Sequence, residues 1–337
     1  MRLSVAIPVH NEETVLPELL RRLRGVLDGL DGGPHEIVFV DDGSTDRTFD
    51  ILEQAAHQDE RIVVISLSRN FGHQTAITAA IDRVTGDAAV VMDGDLQDLP
   101  EAIPKLAEKY CEGYDVVYAQ RARRKEPWPL RLSYFIFYRI MAKLSDIKLP
   151  LDAGDFGLMS RRVMDLLRAM PEHHRYLRGM RSWVGFRQTG VVVERAERHS
   201  GKSKYSLMTL LRLAADGLFS FSIVPIRAAA LLGAFVMACS MMYVFYAVYV
   251  KIFLHKSPQG FTALIVAITF LSGVMLFFLG IIGEYIGRIY EETKGRPHYV
   301  IGRTAGRFAN ETSGAAVRNA ADVAQTDRGI SGRRIPR

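Results

Sequence analysis

Residues 88–97 read AAVVMDGDLQ, an apolar run that ends in two aspartates around one glycine. A short apolar run bounded by polar residues is typical of a buried strand, so Ala88–Met92 is predicted to be one. Asp93 and Asp95 then follow its carboxyl end, where open α/β sheets bind their ligands. Their hard carboxylate oxygens suit Mg²⁺ or Mn²⁺, which commonly also bind substrate phosphates. A D-x-D pair alone is a weak signal, so the residues around it must decide its meaning.

Four other segments have the same strand pattern, and helical segments separate them. The predicted strands are Leu3–Val9, Glu36–Val40, Ile62–Leu67, Ala88–Met92 and Val116–Ala119; the predicted helices are Val15–Leu30, Asp46–His57, residues 73–84 and a helix that begins at Pro100. Strands that alternate with helices form a parallel sheet with helices on both faces. The predicted fold class is therefore α/β, with a doubly wound, mostly parallel sheet.

Polar residues collect after every one of these strands. They are His10, Asn11, Glu12 and Glu13; Asp41, Asp42, Gly43, Ser44 and Thr45; Arg69, Asn70 and Gly72; Asp93, Gly94, Asp95 and Gln97; and Arg121, Arg123, Arg124 and Lys125. Because the carboxyl ends of parallel strands lie at one edge of the sheet, these residues predict a single ligand site. The turn after Val9 lacks the G-x-G-x-x-G pattern of a dinucleotide site, and the sequence contains no Walker A motif.

Two long runs without charge lie in the C-terminal half, at Ala228–Val250 and Gly260–Gly283. Each exceeds the ~20 residues that a helix needs to cross a bilayer, and core helices rarely stay uncharged for so long. The runs therefore predict a two-helix transmembrane hairpin. Basic residues flank the hairpin at Arg212, Arg227, Arg288, Lys294, Arg296, Arg303 and Arg307. This bias, together with the absence of a signal-peptide layout at residues 1–8, predicts that the N-terminal domain and both termini are cytoplasmic.

Two further segments, residues 130–147 and 205–222, mix apolar and basic residues at helical spacing. They are predicted as amphipathic helices in the membrane plane, with ordinary core-facing helices as the alternative. The expected organisation is a catalytic domain at 1–222, transmembrane helices at 225–254 and 260–287, a cytoplasmic basic segment at 288–308 and a disordered tail at 309–337. Cys111 and Cys239 suggest no disulfide framework. The net charge of +6 does not by itself indicate nucleic acid. The basic residues cluster at 121–131, 195–204 and the final 50 positions, which favours anionic phosphates and lipids as partners.

Six segments resemble the family 2 glycosyltransferases with a GT-A fold, and in particular the polyprenyl-phosphate glycosyltransferases. That group includes dolichyl-phosphate mannose synthase and the bacterial undecaprenyl-phosphate glucosyltransferases. The segments are residues 7–13 (IPVHNEE), 40–46 (VDDGSTD), 68–72 (SRNFG), 92–98 (MDGDLQD), 154–156 (GDF) and 201–205 (GKSKY). They occur in order between residues 1 and 305. His73 departs from the pattern, because many relatives carry a lysine there.

The resemblance implies a role for each matching position. The nucleotide-sugar donor would bind at Pro8, Asn11, Glu13, Asp41, Asp42, Arg69, Asp93 and Gly94; Mg²⁺ or Mn²⁺ at Asp93, Asp95 and Gln97; and the acceptor phosphate at Arg124, Arg131, Arg198, Ser203 and Lys204. The expected catalytic residues are Asp95, Asp155 and Arg121. Asp155 either takes a proton or orients the acceptor or a cationic partner.

The implied reaction is the transfer of a sugar to a polyprenyl phosphate. A phosphate monoester has a second pKa of about 6, so most of it is dianionic at pH 7 and needs no general base. Direct displacement at the anomeric carbon inverts the configuration.

The resemblance favours UDP-glucose as donor and undecaprenyl phosphate as acceptor. It also implies that the protein lies in the bacterial inner membrane and forms a homo-oligomer, specifically a tetramer. GlcNAc, galactose, mannose and modified UDP-sugars stay open. A processive polysaccharide synthase would carry a Q-x-x-R-W motif, which the sequence around Arg181-Ser182-Trp183 lacks. A non-catalytic membrane scaffold is the alternative from a different class.

Overall fold

An eight-stranded sheet forms the centre of the N-terminal domain in the computed structural model, which describes residues 1–121, 153–173, 175–193, 224–253 and 260–307. The strands are β1 (Leu3–Val9), β2 (Glu36–Asp41), β3 (Ile62–Leu67), β4 (Ala88–Val91), β5 (Val116–Arg121), β6 (Ala153–Ser160), β7 (Gln188–Val193) and β8 (Ile301–Ala305). Their order across the sheet is β7-β5-β6-β4-β1-β2-β3-β8. The five predicted strands are confirmed, whereas β6, β7 and β8 were not assigned from the sequence.

The strand directions place the chemistry. β1 is parallel to β2 and β4, and β2 is parallel to β3. β6 runs antiparallel to both β4 and β5, so β5 points the same way as β4, and β7 is parallel to β5. β8 is antiparallel to β3. The sheet is therefore mixed, and the carboxyl ends of β1 to β5 lie at one edge, as predicted.

Helices cover both faces of this sheet. They are α1 (Leu16–Asp28), α2 (Thr48–Gln58), α3 (His73–Arg83), a 3-10 turn (Pro100–Ala102), α4 (Ile103–Cys111), α5 (Arg161–Ala169) and α6 (Leu177–Trp183). Alternate residues of β1 enter different cores: Val5 and Ile7 pack with α1, α2 and α4, and Ala6 packs with α3, α5 and α6. Burial on both faces explains why the parallel strands are continuous apolar runs. The doubly wound arrangement is confirmed.

Two long helices follow, α7 (Val224–Phe253) and α8 (Phe261–Thr293), and they contain the two uncharged runs except for Gly260, which directly precedes α8. Among the described residues, one helical segment, Phe270–Thr293, has the length and apolar composition to cross a membrane. A shorter apolar stretch, Leu231–Tyr243, lies in α7. The transmembrane hairpin therefore stays a prediction.

Several predicted segments lie outside the described residues. They are the amphipathic helices at 130–147 and 205–222 and the tail at 309–337. The segment at 288–308, assigned from its basic residues, contains β8, which pairs with β3 at the edge of the catalytic sheet.

Candidate active site

The turn after β2 joins three strand ends. Asp41 is 1% exposed; its Oδ1 accepts the Ser44 N–H at 3.0 Å and its Oδ2 accepts the Ser66 hydroxyl at 2.7 Å. Asp42 accepts the N–H groups of Phe71 and Gly72 at 2.7 and 2.9 Å. These two carboxylates, predicted from the sequence to contact the donor nucleotide, thus also fix the turn and the loop after β3.

The turn after β1 is tied to the same network. Asn11 adopts a left-handed backbone (φ 57°); its N–H donates to Ser44 Oγ at 2.9 Å, and its Oδ1 accepts the Thr45 N–H at 2.9 Å. Glu13 Oε2 accepts the Arg47 N–H at 3.1 Å. The remaining predicted donor-side residues are close by: Pro8 pairs with Val40 in the sheet, and the guanidinium of Arg69 stacks on the Phe71 ring at 4.0 Å. The residues predicted to contact the donor nucleotide therefore lie at one edge of the sheet.

The D-x-D turn packs directly against β1. A Cβ on Gly94 would lie 2.6 Å from Val9 Cγ1, so no side chain fits at this position. Asp95 Oδ1 accepts the Gln97 N–H at 3.1 Å. Leu96 between them has a left-handed backbone (φ 57°) although its side chain is buried, a conformation that is rare for a bulky residue. Strained turns of this kind are concentrated at functional sites.

Asp155 lies opposite this turn, near the start of β6. Its carboxylate accepts two bonds from Arg178, from Nε at 2.8 Å and from Nη2 at 3.0 Å. Gln74 Nε2 donates to the same carboxylate at 3.4 Å. His73 Nε2 lies 3.8 Å from Asp155 Oδ2 and 3.4 Å from Asp93 Oδ1, so it bridges the two acidic groups. Asp155 is therefore on a strand that faces the D-x-D turn.

The electrostatics of this group keep Asp155 ionised. Burial raises the pKa of Asp155, but the charges of Arg178 and His73 and the hydrogen bonds from Arg178 outweigh it, and the net shift is strongly downward. Burial lowers the pKa of His73, while Asp155 and Asp93 raise it, with a net upward shift. A carboxylate whose pKa lies far below its usual range is a weak proton acceptor. The arrangement favours Asp155 as an orienting anion over Asp155 as a base.

The D-x-D turn has suitable donor chemistry for a divalent cation. Among the described residues, no group of three or more His, Cys, Asp or Glu side chains converges as a metal site. A protein contribution of two carboxylates, Asp93 and Asp95, is nevertheless how Mg²⁺ is commonly held, with waters and substrate phosphates as the other ligands. Gln97, the third predicted ligand, lies in the same turn. The residues present therefore fit such an ion.

A cleft at this edge is lined by Asp93, Asp98, Ala119, Gly154, Asp155, Phe156, Arg178 and Val193. Arg121 ends β5 at this edge, with only its backbone described. Arg124, Arg131, Arg198, Ser203 and Lys204 lie outside the described residues.

Sequence reasoning did not assign four residues of the site: His73, Gln74, Arg178 and Arg181. His73 and Gln74 directly follow the polar loop after β3, and this position in the sequence could have indicated that they belong to the site. Arg178 and Arg181 belong to a short helix that no motif marks, and only the three-dimensional fold places them beside Asp155.

Comparison with known proteins agrees with this architecture. A model described as glycosyl transferase family 2 matches residues 4–167, and one described as GtrB C-terminal hairpin matches residues 224–289. The uncharacterized glycosyltransferase YkcC of Bacillus subtilis (strain 168) is 44% identical over 304 residues, which cover 90% of this chain and 94% of YkcC. The bactoprenol glucosyl transferase of Shigella phage SfX is 40% identical over 302 residues, 89% of this chain and 99% of that protein.

A solved structure of glucosyl-3-phosphoglycerate synthase from Mycobacterium tuberculosis, in complex with Mn²⁺, UDP-glucose and phosphoglyceric acid, is 20% identical, covers 65% of this chain and 79% of that chain, and has a TM-score of 0.44. The family assignment depends on the sequence matches to YkcC and to the bactoprenol glucosyl transferase, which extend over most of this chain and of each relative. The chain therefore belongs to glycosyltransferase family 2 and carries the C-terminal hairpin of its GtrB group.

Proposed function

We propose that this protein transfers glucose from a nucleotide-diphosphate donor, UDP-glucose by preference, to a polyprenyl phosphate at the cytoplasmic face of the membrane. The observation that carries the proposal is the cleft in which Asp93, Asp155 and Arg178 meet at the carboxyl edge of the sheet. Relatives named bactoprenol glucosyl transferase, about 40% identical over nearly their whole length, support the choice of sugar and acceptor.

The donor lies across the edge, with its base and ribose toward the Asp41 and Asp42 turn and its diphosphate toward Asp93 and Asp95. Asp93, Asp95 and Gln97 would hold Mg²⁺ or Mn²⁺, which would supply positive charge to the leaving diphosphate. The protein provides the rigid turn: Gly94 allows close packing on β1, and the bond from the Gln97 N–H orients Asp95. Arg121 and Arg69 contribute positive charge at the same edge.

The acceptor phosphate attacks the anomeric carbon as a dianion. Asp155 does not remove a proton, because Arg178 lowers the pKa of its carboxyl and so makes it a weak base, and because the nucleophile is already charged. We assign Asp155 an orienting role and place the acceptor phosphate near Arg124, Arg131, Arg198, Ser203 and Lys204. Because the phosphate attacks the anomeric carbon from the side opposite the leaving diphosphate, an α-linked donor gives a β-linked product.

The membrane part of the proposal is a two-span hairpin formed by α7 and α8, in the bacterial inner membrane. Both helices expose large apolar side chains, such as Phe245 and Leu276, and Phe270–Thr293 is long and apolar enough to span. The catalytic domain and both termini are then cytoplasmic, which brings the lipid phosphate to the cleft. We also propose that the protein forms a homo-oligomer, specifically a tetramer.

The test incubates membranes that contain the protein with undecaprenyl phosphate and a panel of nucleotide sugars, and identifies the glycolipid by mass. We expect a hexose adduct from UDP-glucose, and its loss on removal of divalent cations. An adduct formed only from UDP-GlcNAc, GDP-mannose or a modified UDP-sugar would overturn the choice of sugar. A polymer, or no product from any donor, would favour the processive synthase or the scaffold.

A further inference from the structure

The Asp155 carboxylate is held from two helices at once. Arg178 of α6 contacts both of its oxygens, at 2.8 and 3.0 Å, and Gln74 of α3 contacts Oδ2 at 3.4 Å. Asp155 is 8% exposed. A two-point contact between arginine and a carboxylate fixes direction as well as distance, because the guanidinium is a rigid planar fork. The carboxylate therefore has one orientation on the wall of the cleft.

Helix α6 also forms a hydrogen bond with the backbone beside Asp155. Arg181, one turn after Arg178, donates from Nη2 to the Gly154 carbonyl at 3.2 Å. Gln74 Oε1 accepts the Leu177 N–H at 3.1 Å, so the same side chain that contacts Asp155 also fixes the start of α6. α3, α6 and β6 are thus linked through these polar contacts, directly beside the D-x-D turn.

This arrangement is a costly way to stabilise a fold. Arg181 is 1% exposed, and burial lowers its pKa to about 10. Apolar residues of similar volume often stabilise a core as well as a buried ion pair does. Apolar residues, however, cannot hold a carboxylate in one direction. The polar contacts of α6 therefore indicate that this helix positions the Asp155 carboxylate.

We propose that Arg178 is a positioning residue that fixes the Asp155 carboxylate beside Asp93. The inference rests on the proposed function and assigns Arg178 a role in the rate of transfer. Arg178 acts through Asp155, and the residues at the nucleotide end of the site are held by a separate network around Asp41 and Asp42. Loss of the fork therefore lowers kcat and leaves donor binding in place.

The test compares Arg178→Lys with the unchanged full-length protein in membranes. Lysine keeps the charge but loses the fork. We expect kcat to fall about 10- to 100-fold, since a displacement of about 1 Å can cost this much, with KM for UDP-glucose within about threefold. The matched control is Arg162→Lys, because Arg162 makes the same two-point contact with Asp115, at 2.7 and 2.5 Å, at the opposite edge of the sheet. This control should keep its kcat.

A second variant gives an independent readout. Arg178→Ala should lose activity, and millimolar guanidinium should restore part of it by occupying the vacated position, whereas it should not stimulate Arg162→Ala. Full kcat in Arg178→Lys, or a parallel loss of UDP-glucose affinity, would overturn the positioning role. Absence of rescue would do the same. Absence of glycolipid with the unchanged protein would instead overturn the proposed function itself.

Discussion

The D-x-D turn shows how single residues set the geometry of this site. Leu96 is buried while its backbone is left-handed, at φ 57°. Such a conformation costs on the order of 1–3 kcal/mol and persists only where the surroundings enforce it. The surroundings here are Val9, which Gly94 contacts closely, and the bond between Asp95 and the Gln97 N–H. The turn thus gives up stability to hold two carboxylates in fixed positions.

A methyl group at Gly94 should disturb this turn. In Gly94→Ala the new Cβ would lie 2.6 Å from Val9 Cγ1 and 3.2 Å from the Pro8 carbonyl oxygen. We expect a loss of about 1–3 kcal/mol in the free energy of unfolding, together with a fall in kcat. Gly25→Ala is the control, because nothing lies within 4 Å of its Cβ on helix α1, where alanine should stabilise by about 0.5–1 kcal/mol. Denaturant unfolding of both variants checks this, and equal effects would contradict it.

Asp95 should be needed for the metal-dependent part of donor binding. Asp95→Ala removes one of two carboxylates that fit a divalent cation, so we expect loss of transfer and loss of the increase in UDP-glucose affinity on addition of Mg²⁺ or Mn²⁺. Calorimetric titration with and without the cation measures this increase. Asp98→Ala serves as comparison, because Asp98 lines the cleft beside Asp93 but is not a predicted metal ligand, and it should keep the cation-dependent increase. Full activity of Asp95→Ala would rule out the metal assignment.

At the scale of elements, β8 is an addition that the sequence did not reveal. It covers the edge of β3, and the Val300 carbonyl accepts the Ser68 N–H at 2.8 Å, at the start of the loop that leads to Gly72. The Arg303 guanidinium stacks on the Phe49 ring of α2 at 3.9 Å. The chain that leaves α8 therefore completes the catalytic sheet.

Removal of β8 should destabilise the sheet. A chain that ends at Gly295 exposes the backbone groups of β3, and an uncovered strand edge promotes association between molecules. We expect a lower melting temperature and aggregation on mild heating. A chain that ends at Arg307 keeps β8 and should behave as the full-length protein does. Light scattering during a thermal ramp distinguishes the two, and identical curves would contradict the prediction.

The elements that were predicted share one physical property. β1 to β4 are buried on both faces, so each is a continuous apolar run that the sequence displays directly. β6 contains Gly154, Asp155 and Gly157, and β8 is the short, partly exposed segment IGRTA, so neither has a strand pattern. Both strands form because a partner strand is available elsewhere in the fold. The presence of that partner cannot be read from the local sequence of β6 or β8.

The same distinction applies to the site. The D-x-D turn and the Asp41 and Asp42 turn follow predicted strands, so their common edge could be foreseen from topology. The contact between Arg178 and Asp155 joins residues 23 positions apart and depends on how α6 packs on β6. No single-sequence pattern encodes that packing. Parallel-strand topology was therefore enough for the acidic residues but not for their basic partners.

At the scale of the whole molecule, the long helix α8 is joined to the catalytic domain at its far end. Glu292 Oε1 accepts the His173 N–H at 2.7 Å, and the Tyr299 hydroxyl donates to Asp82 Oδ2 at 2.9 Å on helix α3. α3 begins with His73 and Gln74, which lie in the candidate site. The end of α8 and the segment that follows it are thus connected through polar contacts to the catalytic domain, and one of these contacts reaches the helix that carries part of the site.

This connection determines how the membrane part should be removed. Deletion of residues 228–283 keeps the end of α8 and β8, so the catalytic sheet should stay complete and nucleotide binding should persist. A long-chain lipid acceptor, however, partitions into the bilayer, and without the hairpin the cleft loses its attachment there. We expect near-normal UDP-glucose binding, a large rise in KM for undecaprenyl phosphate, and little change for a short, water-soluble polyprenyl phosphate. Kinetics with both acceptors, in vesicles and in detergent, test this. Unchanged turnover of the long-chain lipid would mean that the hairpin does not deliver the acceptor.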